Sequence, residues 1–271
     1  MAATALPDDW RLSGVAITCG YETSSTDPYT KVAGDFDGMG ISCGALQWNI
    51  GMKSLQPMVK AVGKTRVQAL MPVYGAKMWE ACTGAVKDGL KIVRGWQSKK
   101  ELLKDAHAEL MALMGSPEMR AEQDKKINVK ADTALTMASA WAKGRNNNAP
   151  SKRLYCWFFD LATQNGSLEG QTPKKVADFM SSNNPDKVDD LICDYLDGLK
   201  GSSGHVKDAH KNADLWRGSS DERLELLCLT YLRSATANPT WRHVVINRKG
   251  TIAVGRGWVN SGKRDLTEYG L

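Results

Sequence analysis

The sequence predicts a mainly α fold with a small β element near its start and a second near its end. Three observations lead there. Cap-and-stop punctuation recurs at helical distances along most of the chain. Only two stretches, residues 30–47 and 243–255, depart from helical periodicity. The 271 residues, 42% hydrophobic and 24% charged, have the proportions of a globular chain that buries a sizeable core. Residues 1–271 read as one domain, long enough to form two lobes.

In chain order, Pro7, Asp8 and Asp9 open a helix that runs to Gly20. Residues 30–47 alternate and carry Gly34, Gly38, Gly40 and Gly44, with Asp37-Gly38 as a hairpin signal. Ser98 to Glu101 reads as a capping box before the apolar series Leu102, Leu103, Ala106, Leu110, Leu113 and Met114. Gly115 stops that helix. Ser116-Pro117-Glu118 starts the next, which continues to Ala142 and ends at Gly144 before a polar loop at Asn146, Asn147 and Asn148.

Residues 153–163 are apolar nearly all round, as in a central buried helix. Thr172-Pro173 and Asn184-Pro185 open two more helices, Gly198 to Gly204 is a loop, and Ser219 to Glu222 caps a last helix through about Ser234. Val244 to Ile246, a turn at Asn247 to Gly250, and Thr251 to Val254 form the second expected β element.

The inventory removes several chemistries. The four histidines, His107, His205, His210 and His243, have no metal-ligand spacing, and the six cysteines form no CxxC pair. No metal or organic cofactor is expected. The cysteines sit mostly among apolar neighbours and read as buried thiols, with a Cys19–Cys43 bridge as the alternative in an oxidising compartment. No apolar run reaches about 18 residues, so no membrane partner is expected. Residues 1–9 have neither the basic start nor the apolar core of a secretory signal.

What remains is carboxylate chemistry. Glu22 follows the end of the first helix, where the negative end of the dipole disfavours ionisation and Tyr21 adds desolvation. Both raise the pKa of a carboxyl, as a general acid requires. Fifteen residues on, Asp37 sits at a glycine-rich turn, where solvent keeps it ionised. Two carboxyls in unlike environments are the requirement for glycoside hydrolysis.

Glu22 followed by Asp37-Gly-Met-Gly-Ile-Ser42-Cys-Gly44 resembles the lysozyme superfamily, in particular its chitosanase-like branch. The run Gly44-Ala-Leu-Gln47-Trp48 is similar to a segment of goose-type lysozymes and lytic transglycosylases. Residues 159–166 are similar to the central-helix segment facing the cleft in that branch. Within the group the likeness runs to the muramidase domains of type VI secretion effectors, including those of evolved VgrG spike proteins.

The resemblance implies a two-lobed lysozyme-like fold with a small β-hairpin in the cleft. It also implies hydrolysis of the β-1,4 bonds of peptidoglycan, with Glu22 as general acid and Asp37 as the base of an inverting reaction. Ser42 matches the hydroxyl that helps hold the water. Gln47, Trp48, Asn49, Gln164 and Asn165 are the candidate sugar contacts, with Trp48 open between stacking and core, and Asn165 between contact and helix stop. Asp35 is the alternative base. Met39 stands where chitosanases commonly have Arg, which speaks against a chitosan substrate. Two further implications are action in the periplasm of target bacteria after delivery by a dedicated system, and a cognate periplasmic immunity protein as partner. A phage endolysin, and a chitosanase or chitinase, are the neighbouring readings.

Three rivals stand beside this. Gly40-Ile-Ser42-Cys-Gly44 fits the serine-hydrolase elbow only as a string, since no parallel strands accompany it. Residues 242–264 interleave Arg242, Arg248, Lys249, Arg256, Lys263 and Arg264 with Trp241 and Trp258, a pattern that could track phosphates. The net charge of +6 is modest for nucleic acid, which is not the expected partner, and equally suits an anionic cell wall. A pure cell-wall binding module is the third rival; it needs neither Glu22 nor Asp37.

Overall fold

A computed structural model describes residues 6–21, 27–145, 149–164 and 166–271. Among them are thirteen α-helices and seven short strands, so the fold is mainly α as predicted. The chain divides into two compact units: residues 1–22 with 130–271, and residues 23–129. The boundary between them falls inside one long helix.

Helix α1 (Asp8–Gly20) opens the first unit behind Pro7, with Asp8 and Asp9 in its first turn. The second unit begins with β1 (Val32–Ala33), β2 (Ser42–Cys43) and β3 (Trp48–Asn49), an antiparallel sheet in which Ala33 faces Ser42 and Ser42 faces Asn49. Asp37 and Gly38 do not form a tight two-residue turn. They lie in the loop of residues 34–41, whose Gly38 and Gly40 adopt φ of 84° and 92°.

Then come α2 (Gln56–Val62), α3 (Lys64–Leu70), α4 (Gly75–Thr83) and α5 (Val86–Arg94), all missed by the sequence reading because none is longer than nine residues. Their buried faces supply Met58, Val59, Val67, Met71, Met78, Cys82 and Val93 to the core of this unit.

The expected capping box at Ser98 to Glu101 is instead a hairpin. Strands β4 (Gln97–Ser98) and β5 (Glu101–Leu102) pair around Lys99 and Lys100, which take φ of 51° and 70°. Helix α6 (Lys104–Gly115) therefore starts after Leu103, and stops at Gly115 as predicted. Helix α7 (Pro117–Gly144) follows, with the Ser116 hydroxyl accepting from the Met119 N–H. The expected loop at residues 146–148 lies outside the described residues.

The rest belongs to the first unit. Helix α8 (Lys152–Gln164) buries nine consecutive residues from Leu154 to Ala162, the predicted central helix. Helix α9 (Pro173–Ser182) is capped by the Thr172 side chain. Asn184-Pro185 does not start a helix. The Asn184 side chain accepts from the Asp186 N–H in a local turn, and α10 (Val188–Asp197) begins three residues later. Helices α11 (Gly204–Trp216) and α12 (Asp221–Ala235) complete this series; the sequence reading passed over α11.

The largest correction concerns residues 243–255, which form not strands but α13 (Arg242–Val254). It is buried continuously from Val245 to Val254, so its apolar residues carry no one-sided periodicity to read. Gly250 is not a turn residue but a point of close approach: a Cβ there would lie 2.2 Å from the Trp216 ring. The true β element follows, with β6 (Arg256–Val259) pairing antiparallel to β7 (Gly262–Asp265). All six cysteines are buried free thiols. No described helix is long and apolar enough to cross a membrane.

Candidate active site

Two arrangements stand out, one in each unit. In residues 23–129 it is the 34–41 loop. Asp37 is exposed at its tip, and its Oδ1 accepts the Met39 N–H at 3.0 Å in an Asx turn. Asp35, two residues earlier, has the opposite environment. It is 8% exposed; its Oδ1 accepts from the Gly40 N–H at 2.7 Å and its Oδ2 from Arg94 Nε at 2.6 Å. Burial pushes the Asp35 carboxyl up, but the Gly40 amide and the Arg94 guanidinium outweigh it and hold it below the ordinary range. Of the two candidate bases, Asp37 is thus the one open to solvent, and Asp35 is committed to bonds within the fold.

The candidate sugar contacts near this loop mostly turn inward. Ser42 is 1% exposed in β2. Trp48 is a core residue, its ring lying against Gly44. Gln47 Nε2 donates to the Gly44 carbonyl at 2.9 Å, and Asn49 Oδ1 accepts the Met52 N–H at 2.8 Å. The structure brings Asp35, Asp37, Ser42, Gln47, Trp48 and Asn49 together around one small sheet.

In the first unit the arrangement is ionic and buried. Asp160, on α8, is wholly buried. Its Oδ1 accepts from Arg248 Nη2 at 2.7 Å and its Oδ2 from Lys249 Nζ at 2.6 Å, both on α13. Lys249, also fully buried, donates to Gln164 Oε1 at 3.3 Å, so this candidate contact is engaged within the fold. The Arg248 guanidinium lies 5.2 Å from the centre of the Tyr21 ring.

Burial pushes the Asp160 carboxyl up, yet the two cations beside it hold it well ionised, below its usual value. Burial pushes Lys249 down to about 8, against the pull of Asp160. Tyr21 is raised well above its ordinary value, by burial first and by Asp160 second, and its hydroxyl has no hydrogen-bond partner among the described residues.

Glu22, which follows Tyr21, and Asn165, which follows Gln164, lie outside the described residues. The sequence reading missed Arg94, Gln97, Arg248 and Lys249 as site residues, and met Asp160 only within a resemblance. The signal that could have found three of them is charge inside apolar segments: one acid in the run 153–163, and Arg248-Lys249 between Ile246 and Ile252. Among the described residues no three His, Cys, Asp or Glu side chains gather as metal ligands.

Compared with known protein families, curated proteins and solved structures, the chain matches none.

Proposed function

We propose that the protein is a glycoside hydrolase that cleaves the β-1,4 bonds of bacterial peptidoglycan, with Glu22 as general acid and Asp37 as general base. The observation that carries this reading is the buried Asp160–Arg248–Lys249 cluster packed against Tyr21, the residue before Glu22. Burying three charges costs stability, and strongly perturbed charged groups gather at functional sites. One carboxylate against two cations leaves the cluster with a net charge of +1.

A general acid gives its proton to the leaving oxygen and is left as a carboxylate. In this reading the end of α1 disfavours the Glu22 anion and so holds the carboxyl protonated until that step. Asp37, exposed on its loop, is suited to polarise a water. Inversion needs room for that water between the carboxyls, about 6.5–9.5 Å.

The two-lobed lysozyme-like architecture, delivery as an antibacterial effector, action in the periplasm and a cognate immunity protein are parts of the same proposal and rest on the sequence resemblance. Met39, at the position where chitosanases commonly carry Arg, favours peptidoglycan over chitosan.

The test is mass spectrometry of fragments released from purified sacculi. The expected products carry reducing muramic-acid ends, and E22Q and D37N lower their release by at least 100-fold. Anhydro-muramic ends would indicate transglycosylation, and undiminished release by E22Q would overturn the assignment. If D35N is inactive while D37N is active, the base is Asp35.

A further inference from the structure

The 34–41 loop carries Asp37 on a span that has little of its own to hold it. Phe36, Asp37 and Gly38 are exposed, and Gly38 and Gly40, on the C-terminal side of Asp37, take left-handed conformations. Fixing backbone residues costs conformational entropy, which bonds to the loop must offset. Within it are the Phe36 N–H to the Gly34 carbonyl and the Asx turn of Asp37, and the Gly51 N–H donates to the Met39 carbonyl; the remaining bonds come from side chains outside the loop. Arg94, the last residue of α5, donates through Nε to Asp35 Oδ2 at 2.6 Å and through Nη2 to the Gly38 carbonyl at 2.9 Å. Gln97, in β4, accepts the Asp35 N–H on Oε1 at 2.7 Å and donates from Nε2 to the Gly40 carbonyl at 2.7 Å. The Asp35 carboxylate closes the ring by accepting the Gly40 N–H. Residues 35, 38 and 40 are held, so Asp37 is bracketed on both sides.

We propose that Arg94 and Gln97 are positioning residues for Asp37: acting through Asp35, Gly38 and Gly40, they lock the loop in the one conformation that presents the Asp37 carboxylate. The proposal rests on the reading of Asp37 as the catalytic base. Arg94 is the solvent-facing end of the clamp. The Arg94 side chain is 48% exposed, and the foot of the loop is already seated where Gly40 packs on Leu90 and Val93. Arg94 can therefore be changed with the unit still folded, and its removal frees the tip. A base that must hold a water in line loses about 100-fold for a displacement near 1 Å.

The experiment compares R94M, R94K and Q97A with D37N on sacculi and on soluble glycan chains, with thermal unfolding as a check on the fold. R94M and Q97A are expected to lower kcat 10- to 100-fold with KM within threefold of the wild type. R94K keeps the ion pair to Asp35 and is expected to recover part of that loss. Independently, 15N NMR reads the loop. In the wild type the Gly40 amide proton, bonded to a carboxylate facing Arg94 and Lys100, is expected to resonate downfield and to follow the Asp35 titration. In R94M it moves upfield, and the heteronuclear NOE of the Asp37 and Gly38 amides falls.

Wild-type kcat in R94M and Q97A, with D37N inactive, would overturn the positioning role and leave the hydrolase reading standing. If D37N remains active, that reading falls, and the loop NOE alone decides: an unchanged NOE in R94M overturns the clamp as well.

Discussion

Asp35 and Asp37 show how two residues of one type, two positions apart, come to do different work. Asp35 points into a ring of donors, and each oxygen is spent on a named bond. Asp37 spends one oxygen on its own turn and keeps the rest for solvent. Lys249 is the other residue whose surroundings set its behaviour. Its folded pKa of about 8 lies below the unfolded value of 10.5, so between those two values the unfolded chain binds more protons and stability rises with pH. Buried thiols act in the opposite direction: burial raises Cys82, Cys156, Cys193 and Cys228 to about 12, so the stability they contribute is lost as pH climbs past 9. Comparison with K249M isolates the lysine, because the thiols are common to both proteins. From pH 7 to pH 10 the wild type should gain on the order of 2–3 kcal/mol relative to K249M in urea unfolding. A difference that does not change with pH would show that Lys249 titrates normally.

At the scale of elements, α13 carries the clearest lesson. Its string Asn247-Arg248-Lys249-Gly250 has the composition of a turn, and two β-branched runs flank it. It is a helix because each oddity has a partner elsewhere in its unit. Asp160 on α8 neutralises part of its charge, Asn212 on α11 donates to Asn247 Oδ1 at 3.0 Å, and Gly250 admits the Trp216 ring. The indole cannot easily retreat, since its Nε1 donates to the Arg256 carbonyl at 2.9 Å. G250A gains about 1 kcal/mol of helix propensity but overpacks the core at a cost of about 1–3 kcal/mol. The melting temperature is expected to fall by several degrees; a rise would mean that the indole relaxes freely. The β4–β5 hairpin follows the same logic, because Gln97 is extended where its amide can reach both Asp35 and Gly40. A capping box was a sound local reading of Ser98 to Glu101, and a distant loop outcompeted it.

For the whole molecule, the charge of +6 divides unevenly. Arg248 and Lys249 are buried on Asp160, and the Arg242 guanidinium lies 4.8 Å from the Tyr195 ring centre. Of the six basic residues that suggested a phosphate-tracking stripe, only Arg256 and Lys263 are freely exposed. Attraction to an anionic wall needs only the long-range field, whereas nucleic-acid binding needs many simultaneous phosphate contacts. E22Q is therefore expected to co-sediment with sacculi, several-fold less at 300 mM than at 50 mM salt. Duplex DNA should bind weakly, with a log–log salt slope shallower than about −3. A slope near −6 would restore the nucleic-acid reading.

The mainly α class, the limits of α1, the end of α6, the span of α7 and the central place of α8 are all set by local chemistry: caps, prolines, glycine stops and an unbroken apolar run. Those signals act within a few residues and survive in a string. Asp37, at the tip of its glycine-rich loop, was legible for the same reason. The tertiary structure alone decided that residues 242–254 are helical, that Trp48 belongs to the core, and that Asp35 is held where Asp37 is free. The first and the last turn on partners 59 to 89 residues away in sequence: Asp160 for Lys249, Arg94 and Gln97 for the loop. A buried charge or a clamped turn is stable only when that distant partner arrives, and the energy of the pair is a property of neither residue alone.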